Sequence, residues 1–205
     1  MFIALEGIDG SGKSTQMKLL SEKLKTAGYK VHTTFEPTDG TIGSIIRNIM
    51  KGEMKADERF IAGLFVADRL DHLLNEETGI LKKLQEGFVV ITDRYYFSSY
   101  AYHGTHMDMN WVISANAMSA QILRPDLNIF IDVSTETAMK RLNETRTSVE
   151  RYETLENLNN VRKKYLESFD KQKNEEQIVS IDGNRSIELI GEDIMKILSL
   201  RFKLF

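Results

Sequence analysis

The chain of 205 residues contains no cysteine and only two prolines, and its charges are nearly balanced. The lack of cysteine excludes disulfides, thiolate metal ligands and cysteine nucleophiles, and it is typical of a reducing cytosol. Lys and Arg together number 27 and Asp and Glu number 30, so the formal net charge is −3. Such a balance disfavours a general nucleic-acid coat and a polybasic membrane binder.

Long hydrophobic runs are also lacking. The longest apolar stretches, Ile61–Ala67 and Phe88–Ile91, are far too short to cross a bilayer. The N-terminal segment has no basic region of the kind that begins a secretion signal, and it reaches Glu6 almost at once. We therefore expect a soluble, cytoplasmic protein with one domain over residues 1–205, and no nucleic acid or membrane as a partner.

Strand and helix patterns alternate along the chain. Short apolar segments predict strands at Phe2–Glu6, Lys30–Phe35, Phe88–Thr92, Leu127–Val133 and Gln177–Asp182. Helical patterns occur at Lys13–Ala27, Thr41–Lys51, Asp57–Asn75, Asn110–Leu123, Thr135–Leu142, Glu153–Asn174 and Ile187–Phe202. The alternation predicts an α/β fold, a doubly wound five-stranded parallel sheet with helices on both faces. In such a sheet, ligands bind beyond the carboxyl ends of the strands.

Residues 7–15 match the phosphate-binding pattern G-x-x-x-x-G-K-[ST], directly after a predicted strand and before a predicted helix. A chance match in a chain of this composition has a probability of about one in a hundred. The loop predicts ATP contacts from Gly7, Ile8, Asp9, Gly10, Ser11, Gly12, Lys13, Ser14 and Thr15. We expect Lys13 to reach the β- and γ-phosphates and the Ser14 hydroxyl to bind Mg²⁺.

A second group of charged residues follows the other strands. Asp93 and Arg94 come directly after the third predicted strand, where charged side chains need partners. Arg69 lies one helical turn after Phe65, and Arg47 lies in the helix that follows Glu36-Pro37. Together the three arginines predict a second anion site that faces the phosphate loop. Such a site is typical of a kinase whose acceptor is itself a phosphate.

Beyond the phosphate loop, several segments resemble those of thymidylate kinases. They are Glu36-Pro37, Phe65-Val-Ala-Asp-Arg69, Asp93-Arg-Tyr-Tyr-Phe-Ser-Ser-Tyr-Ala-Tyr102, Arg124-Pro-Asp-Leu127 and Glu150-Arg-Tyr-Glu153. The resemblance extends in consistent order from about residue 2 to about residue 195. It implies P-loop kinase architecture and Mg²⁺-dependent transfer of the ATP γ-phosphoryl group to dTMP, giving dTDP. It also implies, by analogy, a homodimer.

The resemblance implies roles for individual residues. Phe65 is expected to stack on thymine, with Arg69 at the base edge and Ser98 and Ser99 beside the nucleotide. Tyr102 is expected to pack against the deoxyribose and exclude a 2′-hydroxyl, while Asp9 approaches the 3′-hydroxyl and Arg94 holds the dTMP phosphate. Arg141 is expected near adenine. Glu36, Pro37 and Arg47 complete the expected dTMP site, and the expected catalytic residues are Lys13, Asp93, Arg94 and Arg146.

Two departures from the family pattern shape these expectations. Phe35 stands where many relatives have an arginine before Glu-Pro, so Arg47 is the expected substitute as anchor of the acceptor phosphate. Gly10 stands where some relatives have an arginine. We then expect that the cation that stabilises the transferring phosphoryl group comes from a lid at about residues 141–152. Arg146, which lies in a polar loop of this lid, is the arginine expected to supply that cation. Arg151 is instead expected to pair with Glu153 or a neighbouring carboxylate.

Two rival functions remain at this point. One is another nucleoside monophosphate or deoxynucleoside kinase, which Phe65 and Tyr102 disfavour. The other is a P-loop ATPase or regulatory switch, which would not need an acceptor-phosphate site; the base-reading motif Asn-Lys-x-Asp of guanine-specific switches is absent. His103 and His106 are interpreted as loop histidines rather than a metal pair.

Overall fold

The computed structural model describes residues 1–145, 151–152 and 154–203. The strands are β1 (Phe2–Glu6), β2 (Val31–Phe35), β3 (Val89–Asp93), β4 (Leu127–Asp132) and β5 (Ile178–Asp182). The helices are α1 (Lys13–Thr26), α2 (Thr41–Met50), α3 (Glu58–Leu74), α4 (Ile80–Gln85), α5 (Tyr96–His103), α6 (Met109–Ala115), α7 (Ala117–Ile122), α8 (Thr135–Thr145), α9 (Leu155–Gln172) and α10 (Ile187–Phe202). In the described part of the chain, no helix is long and apolar enough to cross a membrane.

The five strands form one parallel sheet in the order β2-β3-β1-β4-β5. In this register, Leu5 of the central strand β1 is paired with Asp93 on one side and Ile129 on the other. The carboxyl ends of β3 and β4 therefore flank the loop that follows β1. The predicted doubly wound parallel sheet is confirmed.

Helices cover both faces of the sheet, because the central strands are apolar on both sides. In β1, Phe2 and Ala4 face a core shared with α5 and α9, whereas Ile3 and Leu5 face a core shared with α1 and α10. A fully buried Leu, Ile or Phe side chain contributes about 1.5–3 kcal/mol relative to exposure. The two cores fix the end of β1, from which the phosphate loop begins.

The segment Asn110–Leu123, predicted as one helix, is instead two. Helix α6 ends at Ala115 and α7 begins at Ala117, with the buried Asn116 between them. The Asn116 side chain donates to the Val112 carbonyl (2.8 Å) and accepts from the guanidinium of Arg69. The helix is interrupted at the asparagine whose side chain accepts a hydrogen bond from the buried guanidinium of Arg69 in α3.

The sequence pattern predicts that Phe60, Leu64, Ala67 and Leu74 form one apolar side of α3, but the helix is oriented differently. Phe60 and Leu74, which the pattern places on one apolar side, are 50% and 51% exposed. The helix buries Asp68, Arg69 and His72 instead, because these polar side chains bind the loop after β2.

Two helices, α4 and α5, were not predicted. Every residue of α5 is buried, so its sequence lacks the alternation of polar and apolar residues that identifies a surface helix. His103 is therefore the buried last residue of a helix, and its interpretation as a loop histidine was wrong.

Candidate active site

The phosphate loop curves through three glycines between β1 and α1. Gly7, Gly10 and Gly12 have φ values of +150°, +79° and +97°. At Gly10 a Cβ atom would lie 2.4 Å from the carbonyl oxygen of Ala138 in α8, so no side chain fits there without displacing the helix. The loop residues from Asp9 to Thr15 line a cavity of about 620 Å³. The loop and the N-terminus of α1 together form a cradle suited to phosphate.

Lys13 is buried at the base of this cradle. Its ammonium donates to the carbonyls of Gly7 (3.0 Å) and Ile8 (3.1 Å). Burial, reinforced by the charge of Arg94, lowers the pKa of Lys13 to about 8, although Asp93 opposes the shift. A cation is thus held beside the loop in position to bind a phosphate.

Ser14 and Asp93 bring two oxygen donors together at the loop. The Ser14 hydroxyl donates to Oδ2 of Asp93 at 2.6 Å. Asp93 lies at the end of β3, beside the end of β1. A hydroxyl and a carboxylate fit Mg²⁺, which prefers oxygen ligands and takes its other ligands from water and nucleotide phosphates.

Arg94 connects the phosphate loop to a second cavity. It is a non-glycine residue with φ +77°, a conformation that costs energy and occurs often at functional sites. Its guanidinium forms an ion pair with Asp9 and lies 4.9 Å from the centre of the Tyr102 ring. It also donates to Gly7 O (3.2 Å), Ser98 Oγ (3.0 Å) and Tyr102 OH (3.1 Å).

Asp9 completes this arrangement. Its carboxylate accepts a hydrogen bond of 2.7 Å from the Tyr102 hydroxyl. Burial by itself raises the pKa of Asp9, but the charges of Arg94 and Lys13 and the Tyr102 hydrogen bond hold it below its ordinary value. The side chain is therefore an anion facing two cations.

Glu6, which sequence reasoning missed, lies buried beneath Arg94. Its carboxylate accepts hydrogen bonds from the Tyr95 backbone N–H (2.9 Å), the Ser98 hydroxyl (2.6 Å) and the Tyr165 hydroxyl (3.0 Å). Burial raises its pKa to about 7, against the effects of these hydrogen bonds and of Arg94. Glu6 fixes the backbone beside the strained residue. The signal available in the sequence was a carboxylate at the end of an apolar strand.

The second cavity, of about 100 Å³, adjoins the first and is called the acceptor cavity below. Its lining residues are Asp9, Pro37, Met50, Phe65, Arg94, Ser98, Ser99, Tyr102, His103 and Tyr152. Seven of these were expected at the dTMP site, whereas Met50, His103 and Tyr152 were not. The His103 ring lies 5.2 Å from that of Phe65, and its Nδ1 has no hydrogen-bond partner among the described residues.

Glu36 and Arg69 form a buried ion pair behind the acceptor cavity rather than in its lining. Nε of Arg69 donates to Glu36 at 2.9 Å, and the other Glu36 oxygen lies 3.1 Å from His72. Arg69 is 1% exposed, and among the described residues of the cavity wall it bonds to Ser99 (3.1 Å). Its expected contact with a base edge stays a prediction.

Arg47 and Arg141 contact different parts of the chain. Arg47 donates to the carbonyls of Pro37 (3.1 Å) and Thr38, outside the linings of the two cavities. Arg141 lines the phosphate-loop cavity and donates to Gly183 O at 2.9 Å. Their expected roles, at the acceptor phosphate and at adenine respectively, stay predictions.

The expected lid lies only partly within the described residues. Arg146, Glu150 and Glu153 are outside them. Arg151 is paired with Glu58 of α3 at 2.7 Å, so its carboxylate partner comes from a distant part of the chain.

Two adjoining cavities, one at a phosphate loop and the other lined by the partly buried Arg94, define a P-loop phosphotransferase. A sequence model of the thymidylate kinase family matches residues 5–194. A probable thymidylate kinase from Pyrococcus horikoshii is 43% identical to this chain over 80% of each chain. One from Caldivirga maquilingensis is 35% identical over 99% of this chain and 95% of the relative. One from Methanosphaera stadtmanae is 37% identical over 95% of each chain. The chain belongs to the thymidylate kinase family.

The pKa of Lys13 makes ATP binding dependent on pH. A lysine is charged below its pKa, so its attraction for phosphate is present below pH 8 and lost above it. We expect the Kd for ATP, measured calorimetrically, to rise about tenfold between about pH 7 and about pH 9. Lys13→Arg, which stays charged, should not show this rise. Equal pH profiles for the two proteins would contradict the role of Lys13.

Proposed function

We propose that this chain transfers the γ-phosphoryl group of ATP to dTMP, giving ADP and dTDP, with these residues as its active site. Membership in the thymidylate kinase family supports the reaction. The observation that carries the site is the wall shared by the two cavities, formed by Asp9 and Arg94. A donor phosphate on one side and an acceptor phosphate on the other would meet there. A hydrolase or a switch has no use for the second cavity.

On the donor side, the phosphate loop binds the ATP phosphates through its backbone N–H groups, and Arg141 flanks the adenine. Mg²⁺ held by Ser14 and Asp93 would supply charge neutralisation on the phosphates. Lys13 stabilises the charge that develops on the bridging oxygen as its bond to the γ-phosphorus breaks. The loop itself carries no arginine, since Gly10 has no room for one. We therefore propose Arg146 as the lid cation.

On the acceptor side, the thymine packs against Phe65 and the deoxyribose against Tyr102. Asp9 lies near the sugar, Ser98 and Ser99 line the wall, and Arg94 binds the phosphate. An oxygen of that phosphate attacks the γ-phosphorus, and ADP leaves. The chain's residues accelerate this step by positioning and electrostatics. The loop at Pro37 is held against α3 by Asp68, which accepts from Thr38 N (2.8 Å) and Oγ1 (2.6 Å).

A panel of monophosphates tests this function. We expect ADP release with dTMP to exceed that with UMP by about ten- to a hundredfold in kcat/KM, because the Tyr102 ring leaves no room for a 2′-hydroxyl. Tyr102→Ala should narrow the difference. Tyr102→Phe, the matched control, keeps the ring and should keep the preference. Equal rates with dTMP and UMP would contradict the proposal, and ADP release that no acceptor accelerates would indicate an ATPase.

We also propose that two copies of the chain associate through the exposed side of α3. Phe60 and Leu74 are half exposed on this helix, and Gly63 and Ala67 are exposed between them. Residues at these spacings share one helical face. The small side chains in its middle permit close approach of a second helix, and the larger ones would bury apolar surface.

Sedimentation velocity tests this association. The protein is expected to be a dimer at micromolar concentrations, and Ala67→Glu is expected to make it monomeric, because two charges would meet at the centre of a symmetric contact. Leu200→Glu changes an exposed apolar residue on α10 and serves as the control. A monomeric wild-type protein would contradict the proposal.

A further inference from the structure

Glu58, the first residue of α3, contacts two other segments of the chain, at Arg151–Tyr152 and at His106. One carboxylate oxygen accepts from Arg151 at 2.7 Å, and the other accepts from the Tyr152 hydroxyl at 2.6 Å. The imidazole of His106, in the segment after α5, lies 3.9 Å from the same carboxylate. No motif in the sequence singles out Glu58, and it takes no part in the proposed phosphoryl transfer.

The contacts of Glu58 hold one wall of the acceptor cavity in place. Tyr152 lines that cavity, is 8% exposed, and has its ring 5.7 Å from the ring of Tyr102. Its hydroxyl donates a hydrogen bond to Glu58, and its backbone carbonyl accepts one of 2.9 Å from the side chain of Asn157 in α9. Tyr152 is thus held at its hydroxyl by α3 and at its backbone by α9.

The same segment is also attached at the backbone. The N–H of Arg151 donates to the Met50 carbonyl at 3.3 Å, and its guanidinium donates to the Ala56 carbonyl at 3.4 Å. The segment that carries Tyr152 is therefore bound to the connection between α2 and α3.

Glu58 and Phe65 lie seven residues apart on α3, so both are on the same side of the helix. One helix therefore carries both the expected stacking partner of thymine and the anchor of Tyr152, and the side chains of Phe65 and Tyr152 line the same cavity. A shift of Tyr152 would change the shape of that cavity.

The charge of Glu58 suits this role. Burial raises its pKa, but the hydrogen bonds from Tyr152 and Arg151 and the charge of His106 together lower the pKa below its ordinary value. The carboxylate is ionised at neutral pH, and charge-assisted hydrogen bonds are roughly twice as strong as neutral ones.

We propose that Glu58 is a positioning residue that holds Tyr152 as the outer wall of the acceptor cavity and thereby sets the affinity for the acceptor nucleotide. This inference depends on the proposed function, in which dTMP occupies that cavity. Glu58 lies outside the lining of both cavities and acts through Tyr152 and Arg151. It should therefore affect acceptor binding and leave ATP binding and the phosphoryl-transfer step unchanged.

Calorimetric binding of dTMP and steady-state kinetics test the proposal. Glu58→Ala is expected to raise the Kd and KM for dTMP about tenfold, with the KM for ATP and kcat at saturating dTMP within about twofold of wild type. Glu58→Gln can still accept from the Tyr152 hydroxyl and should retain most of the affinity. Glu76→Ala, which removes an exposed carboxylate just after α3, is the matched control and should bind dTMP like the wild type.

A double-mutant cycle separates positioning from a general structural effect. Tyr152→Phe removes one hydroxyl and keeps the ring, so it is expected to fold and to weaken dTMP binding about threefold. In Glu58→Ala, adding Tyr152→Phe should have no further effect, because the shared bond is already lost. If the effects of the two substitutions on the Kd for dTMP simply multiply, the proposal is overturned. It is also overturned if Glu58→Ala binds dTMP with wild-type affinity, or if this variant loses equal affinity for ATP and for dTMP. A wild-type protein that binds no dTMP would overturn the proposed function itself.

Discussion

The ion pair between Arg94 and Asp9 is the interaction that joins the two halves of the active site. Asp9 belongs to the phosphate loop after β1, and Arg94 follows the neighbouring strand β3. Parallel pairing of these strands brings both residues to the same edge of the sheet. The backbone of Arg94 adopts φ +77° to aim its side chain across the loop, and this conformation has to be stabilised by the surrounding contacts.

Those contacts join charged groups that are buried, such as Lys13 and Glu6, or partly buried, such as Arg94 and Asp9. Lys13 and Arg94 are cations, Asp9 is an anion between them, and Glu6 has a pKa of about 7 beneath them. An unpaired charge in such a place would cost several kcal/mol. The site therefore depends on pairing, and an arriving phosphate enters a region where two cations are already held in position.

The sequence predicted what local patterns determine, namely the phosphate loop, the strands and the edge of the sheet where ligands bind. It failed where the deciding partner is distant in the chain. Asn116 interrupts a helix because it binds Arg69, and Glu6 is held by Tyr165. Helix α5 escaped prediction because it is buried on all sides. Arg69 and Arg47 are engaged by Glu36 and the Pro37 loop outside the lining of the acceptor cavity, and their expected roles at the dTMP site stay predictions.

Separate measurement of the two substrate affinities in Arg94→Gln tests the central role of Arg94 most directly. If the guanidinium serves the acceptor phosphate, the Kd for dTMP should rise by at least about a hundredfold, equivalent to about 2.7 kcal/mol. The Kd for ATP should stay within about threefold of wild type, because Lys13 and the loop backbone bind its phosphates. Unchanged dTMP affinity, or an equal loss for both nucleotides, would contradict the assignment of Arg94 to the acceptor side.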